Sequence, residues 1–292
     1  MNMIASTPTI LRGEVETAHR LLWIFDGGLD RDLESIVRKV DHRAWIEWIY
    51  SGTEYAREFK DGPMLVESNA DSALLDAYIS SWAAQHWGGL LLSAQPFDAV
   101  LQHLRALRHA QLPDGTTSLL RLHEPRAMRG FAVGSDSYTT AMLMGPIDRW
   151  YWCEWNEGRG DWYRLDHPSP GHGQIARDSL NVSDQLLGAL DDQGIDYRNL
   201  GFVRRLRAAG ISGLENASDE LLAEAVRKHA ADAQTRGFSC DEDIYGFLDV
   251  YFRYHRQLFA PGSALAIILD DRAVPAWRRL QQANALMEEG HA

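Results

Sequence analysis

The segment Arg121-Leu122-His123-Glu124-Pro125-Arg126 holds the densest set of groups able to move a proton or grip an anion. It follows an apolar run, so a carboxylate, an imidazole and two guanidinium groups meet at the end of an expected strand. One reading is a catalytic corner, a hydrolase or transferase using His123, Glu124 and Arg126. The other is a structural corner, with Glu124 bonded to nearby backbone amides and paired with Arg121 or Arg126. A carboxylate flanked by two arginines is favoured in its charged form, which suits neither a general acid nor a tuned base. The residues themselves therefore favour the structural corner.

Other chemistry is sparse. Gly171-His-Gly-Gln-Ile-Ala176 has the outline of a dinucleotide loop. Its approach, Asp166-His-Pro-Ser-Pro170, is no strand, and a pyrophosphate loop needs one. Gly134-Ser-Asp-Ser137 lacks the closing glycine of a nucleophile elbow and reads as a turn or helix cap. Asp166, His167 and His172 share one loop and read as solvated side chains rather than metal ligands. No catalytic residue, metal site or cofactor is expected. Arg159-Gly160-Asp161 reads as the turn of a hairpin.

Charge and composition narrow the class. The 292 residues are 45% hydrophobic and 24% charged, which are globular values. Twenty-nine basic against 41 acidic residues leave a net charge of −12. That sign opposes both the displacement of counterions from nucleic acid and docking on anionic lipid. Neither nucleic acid nor membrane is an expected partner. Two cysteines, Cys153 and Cys240, are too few for a disulfide framework. The opening residues show no basic region followed by an apolar core, so a cytoplasmic protein is expected. Lysine occurs only at Lys39, Lys60 and Lys228, and that preference for arginine reads as the codon bias of a GC-rich, bacterial genome.

The elements that must position these groups follow from hydrophobic spacing. Short apolar runs at 21–25, 64–67, 89–93, 118–122 and 149–155 predict strands. Amphipathic spacing between them predicts helices over 30–40, from a cap at Asp71 or Ser72 to Trp82, and from Pro96 to Leu107. Alternation of this kind predicts an α/β or α+β lobe with a central sheet flanked by helices, over 17–165. It leaves strand direction open. The segment 166–173 reads as a linker. Residues 174–292 read as an all-helical lobe, with Ser218 capping one helix and Ser239 and Glu242 forming a capping box on the next. Trp277, Leu280 and Met287 mark a terminal helix. The aromatic block from Trp150 to Tyr163 predicts a hairpin with rings on both sheet faces. It is either a packing element or an exposed patch that grips another protein.

Eight short motifs then fall in a recognisable order. They are Leu21-Leu-Trp-Ile-Phe-Asp-Gly-Gly28; Trp45 with Tyr50-Ser-Gly-Thr53; Gly62-Pro-Met-Leu-Val66; and Trp87-Gly-Gly-Leu-Leu-Leu-Ser93. His103-Leu-Arg105, Pro113-Asp-Gly115 and the Arg121–Arg126 segment follow, and Gly145-Pro146 closes the series. The set resembles the adaptor/chaperone family of bacterial type VI secretion, first catalogued as a domain of unknown function. One departure is Glu124, where the family shows Asp. The resemblance implies a protein that is not an enzyme. It would bind a toxic effector in the producing cell, keep it soluble and help load it onto a VgrG-type spike. It would need a partly apolar groove for its client. Trp162, Tyr163, Tyr251 and Trp277 are the expected partner contacts. Asp26, Arg121, Glu124, Pro125, Arg126, Gly145 and Pro146 are the expected structural residues of the motif set. An immunity-type inhibitor of a toxin is a further alternative.

Overall fold

The computed structural model describes residues 3–15, 20–156, 159–169, 179–214, 216–254, 260 and 262–290. The chain divides into two compact units, Met1–Gln193 and Gly194–Ala292. The division falls inside one long helix, C-terminal to the segment 166–173. Of that segment, 170–173 lie outside the described residues.

Among the described residues the first unit holds ten strands: β1 (Met3–Ser6), β2 (Arg20–Asp26), β3 (Trp45–Trp48), β4 (Pro63–Ser68), β5 (Gly88–Ser93), β6 (His109–Gln111), β7 (Thr117–Leu119), β8 (Arg149–Asn156), β9 (Arg159–Asp166) and β10 (Leu180–Asn181). Its helices are α1 (Pro8–Val15), α2 (Leu33–Val40), α3 (Ala73–Ala77, prolonged by a wider turn over Tyr78–Trp82), α4 (Phe97–Ala106), α5 (Pro125–Gly134) and α6 (Ser137–Met144). Seven strands make one sheet in the order β1-β9-β8-β5-β2-β4-β3, and every neighbouring pair is antiparallel. A small second sheet has the order β10-β6-β7.

The large sheet is buried on both faces. Leu22, Ile24, Leu65, Leu91, Trp150 and Trp152 join α4, α5 and α6 in one core. Leu21, Trp23, Phe25, Val66, Leu90, Tyr151 and Trp162 join α1, α2 and α3 in the other. Two covered faces explain why β2 reads as an unbroken apolar run rather than an alternating one, since every side chain meets protein. The aromatic hairpin β8–β9 feeds its rings into these two cores. The expected strand over 118–122 is corrected: β7 stops at Leu119 and belongs to the small sheet, while Leu122 turns into the core. Arg159-Gly160-Asp161 is also corrected, because it opens β9 opposite Glu154, Trp155 and Asn156.

Helix α7 (Asp184–Ala208) contributes Leu186 to the first unit's core, and Phe202, Val203 and Leu206 to that of the second. The second unit continues with α8 (Asp219–Thr235), α9 (Asp241–Arg253), α10 (Ala264–Asp270) and α11 (Ala276–Gly290). Ser218 caps α8 as expected, its hydroxyl accepting the Leu221 amide. The capping box at Ser239 does not form. Cys240 is the cap residue of α9, so Glu242 sits one position too early to reach back, and it pairs with Arg205 at 2.8 Å. Cys153 and Cys240 are free thiols. Among the described residues, no helix is long and apolar enough to cross a membrane.

Candidate functional site

Asp26 ends β2 beneath a Gly27-Gly28 turn and is buried. Its Oδ1 accepts the Gly28 amide at 2.9 Å, and its own amide donates to the Trp87 carbonyl at 2.8 Å. The loop ahead of α5 brings Arg121, His123 and Glu124 to the same place. Arg121 reaches Asp26 Oδ2 with Nη2 at 3.4 Å and Glu124 Oε1 with Nε at 2.5 Å. His123 is 2% exposed, and its Nε2 stands 3.6 Å from Asp26 Oδ1. That is too long for a hydrogen bond, and neither ring nitrogen has a hydrogen-bond partner among the described residues. Burial pushes the imidazole down to about 4, against the opposing pull of Asp26 and with a smaller push from Arg121, so the ring is neutral at pH 7. One donor atom each from Asp26, His123 and Glu124 lies within 4.8 Å of the others.

Glu124 stands at the cap position of α5, but its side chain makes no capping hydrogen bond. Pro125 takes the first helical position and Arg126 follows, half-buried. The structural corner is therefore an ion pair between Glu124 and Arg121, and the expected backbone bonding of Glu124 is corrected. Beside His123 lies a cavity of about 10 Å³, lined by Ile24, Tyr50, Leu104 and Leu122 among others. It is large enough for about one water.

Several of the remaining motifs join neighbouring segments, some beside this corner and some at the other end of β2, where Arg20 pairs with Ser93. A Cβ on Gly27 would stand 2.4 Å from the Lys60 carbonyl oxygen, and one on Gly62 would stand 2.1 Å from the Tyr50 ring. Arg105 donates from Nε to the Ile49 carbonyl and from Nη2 to that of Trp48. His103 bonds the Leu143 carbonyl at 2.9 Å with its ring against Gly145, and Ser93 donates to the Pro146 carbonyl at 2.6 Å. The motif residues thus hold strand ends and loops together.

The expected partner contacts are scattered. Trp162 is buried in the sheet core, edge-on to Tyr78, and Tyr251 is buried with its ring 3.8 Å from that of His229. Both are core residues, which corrects their placement as contacts. Tyr163 is half-buried beside Trp152, with the Arg129 guanidinium 5.7 Å from its ring centre. Trp277, in the first turn of α11, is 63% exposed. The structure adds one exposed ring that sequence reasoning named only within the motif set. Trp45, on the outermost strand β3, is 54% exposed while its other face stacks on Phe97 at 5.1 Å. It borders an open cleft of about 750 Å³ between the end of α2, Glu67–Asn69 and the start of α3. Asp41 lies in this cleft. Partial burial works against its charge, but hydroxyl bonds from Ser68 and Ser72 and the Arg43 amide hold it below the usual carboxylate range.

No curated protein matches the chain, and no solved structure does. One family model matches, over residues 21–140, and its description is Domain of unknown function (DUF4123). That stretch runs from β2 to α6 and takes in the motifs from Leu21 to Arg126 together with the Asp26 corner.

Proposed function

We propose that this protein is an adaptor/chaperone of a bacterial type VI secretion system, and that it is not an enzyme. It binds a cognate effector in the cytoplasm of the producing cell, keeps it soluble and presents it to a VgrG-type spike. The observation that carries this reading is the ordered motif set, which falls almost wholly inside the matched stretch. The packing supports it. Many of the residues that make the resemblance join parts of the scaffold, whereas Trp45 among them stays exposed. Exposed Trp45 and Trp277 are rings suited to partner contacts, since each offers a large apolar area at low entropic cost.

The test is co-expression with the effector encoded beside the gene, read as the soluble fraction of effector and as co-elution on size exclusion. Solubility that rises with this chain, and a complex that elutes together, are expected. Trp277→Ala and Trp45→Ala are expected to weaken the complex by about tenfold or more where the ring is an anchor. An effector equally soluble alone, with no complex, refutes the reading. Binding to the toxin's catalytic domain instead of its delivery region selects the immunity alternative.

A further inference from the structure

The Asp26 corner has a feature that packing does not explain. A buried imidazole ordinarily bonds through at least one ring nitrogen. His123 bonds through neither, although it faces a carboxylate and has a second within reach. Two ligands of a tetrahedral zinc ion, each about 2.1 Å from the metal, stand about 3.4 Å apart. His123 Nε2 and Asp26 Oδ1 stand 3.6 Å apart. Glu124 is the adjustable member, since its side chain is only partly buried and tied to Arg121 alone among the bonds described.

We propose that Asp26, His123 and Glu124 form a binding site for a divalent transition metal, with zinc(II) as the ion of best fit. One imidazole nitrogen and two carboxylate oxygens supply three positions, and the fourth stays open to water or to a donor from a partner. Arg121 is the resident counter-cation. Its guanidinium holds the same two carboxylates, and at 51% side-chain exposure it has solvent to retreat into when the metal arrives. Exchange of one positive charge for two leaves the carboxylate pair neutralised. The site ties the end of β2 to a loop some 95 residues further along the chain, so its occupancy fixes the join between these two segments. It does not rest on the adaptor reading, and its test needs no effector.

The test uses the full chain, stripped with a chelator and titrated with zinc chloride against a chromogenic zinc indicator, with stoichiometry by elemental analysis. One zinc per chain is expected. Glu124→Gln should weaken binding by at least about tenfold, and Arg121→Gln should tighten it. Cobalt(II) should give the visible absorption of a tetrahedral nitrogen–oxygen site, lost in His123→Asn. Circular dichroism checks each variant's fold. If His123→Asn does not fold, the Glu124 and Arg121 variants decide. Absence of stoichiometric zinc overturns the proposal. So does zinc whose affinity Glu124→Gln leaves unchanged, which would place the ion on other histidines among the eleven. An Arg121→Gln variant with no gain in affinity overturns the counter-cation role.

Discussion

Gly88 sits where two backbones cannot both keep their distance from a side chain. Its φ is +141°, and a Cβ there would stand 1.9 Å from the Ile24 carbonyl oxygen on the neighbouring strand. The clash is with backbone, which has no rotamer to give. Gly88→Ala should therefore destabilise the protein by about 2–4 kcal/mol, read as a lowered urea midpoint with unchanged slope. His103 makes a second residue-scale case. It is fully buried on α4, and burial pushes its pKa down from 6.5 to about 4, while the Leu143 carbonyl pulls it up and His167 pushes it further down. The unfolded ring takes a proton near pH 6.5 and the folded ring does not. The neutral ring's contribution is thus complete above pH 6.5 and is lost as pH falls through about 4. The unfolding free energy from urea titration should drop between pH 7 and pH 5, by at most about 1.4 kcal/mol per pH unit from this group. His103→Gln, which keeps a donor for Leu143, should flatten that dependence, and an unchanged slope would count against the assignment.

At the scale of elements, one missing strand explains why sheet direction was not legible in the sequence. β2, α2 and β3 make a crossover in which β3 runs parallel to β2, and β4 and β5 are likewise parallel with α3 between them. Each crossover skips one position, and an antiparallel strand fills the gap. Trp45–Trp48 is only four residues long and alternates weakly, so its period is hard to tell from a loop. Without it, strand-helix-strand reads as simple alternation and the parity of the sheet is lost. The long apolar strands β2 and β5 were legible because both faces are covered. The Asp26 corner was legible only in halves. Asp-Gly-Gly and the Arg121–Arg126 segment each stand out locally, but no local signal joins positions so far apart. Caps behave differently, since their chemistry is local. Ser218 was readable and forms, while Ser239 failed because α9 begins one residue later than its spacing suggests. Ser218→Ala removes the acceptor for the Leu221 amide and should cost about 1 kcal/mol of the second unit's stability, measured by urea unfolding followed by circular dichroism.

The whole molecule has separate cores, and its tryptophans report on them unequally. Every tryptophan except Trp277 lies before Gly194, and Trp23, Trp150, Trp152 and Trp162 are buried in the sheet cores. Trp277 is already largely in water, so unfolding of α11 changes its surroundings little. Fluorescence therefore follows the first unit. Far-ultraviolet circular dichroism follows both, because α8 to α11 contribute helix around a core that contains no tryptophan. Where two cores unfold as two cooperative units, probes weighted differently give different curves. Urea transitions by fluorescence and by dichroism should not superimpose, and Trp277→Phe should leave the fluorescence midpoint where it was. The earlier variants assign the transitions. Gly88→Ala should shift the fluorescence curve, and Ser218→Ala should shift only that part of the dichroism curve that fluorescence does not see. Coincident curves, moved together by either substitution, would mean that the cores unfold as one cooperative unit, with helix α7, which supplies residues to both, coupling them.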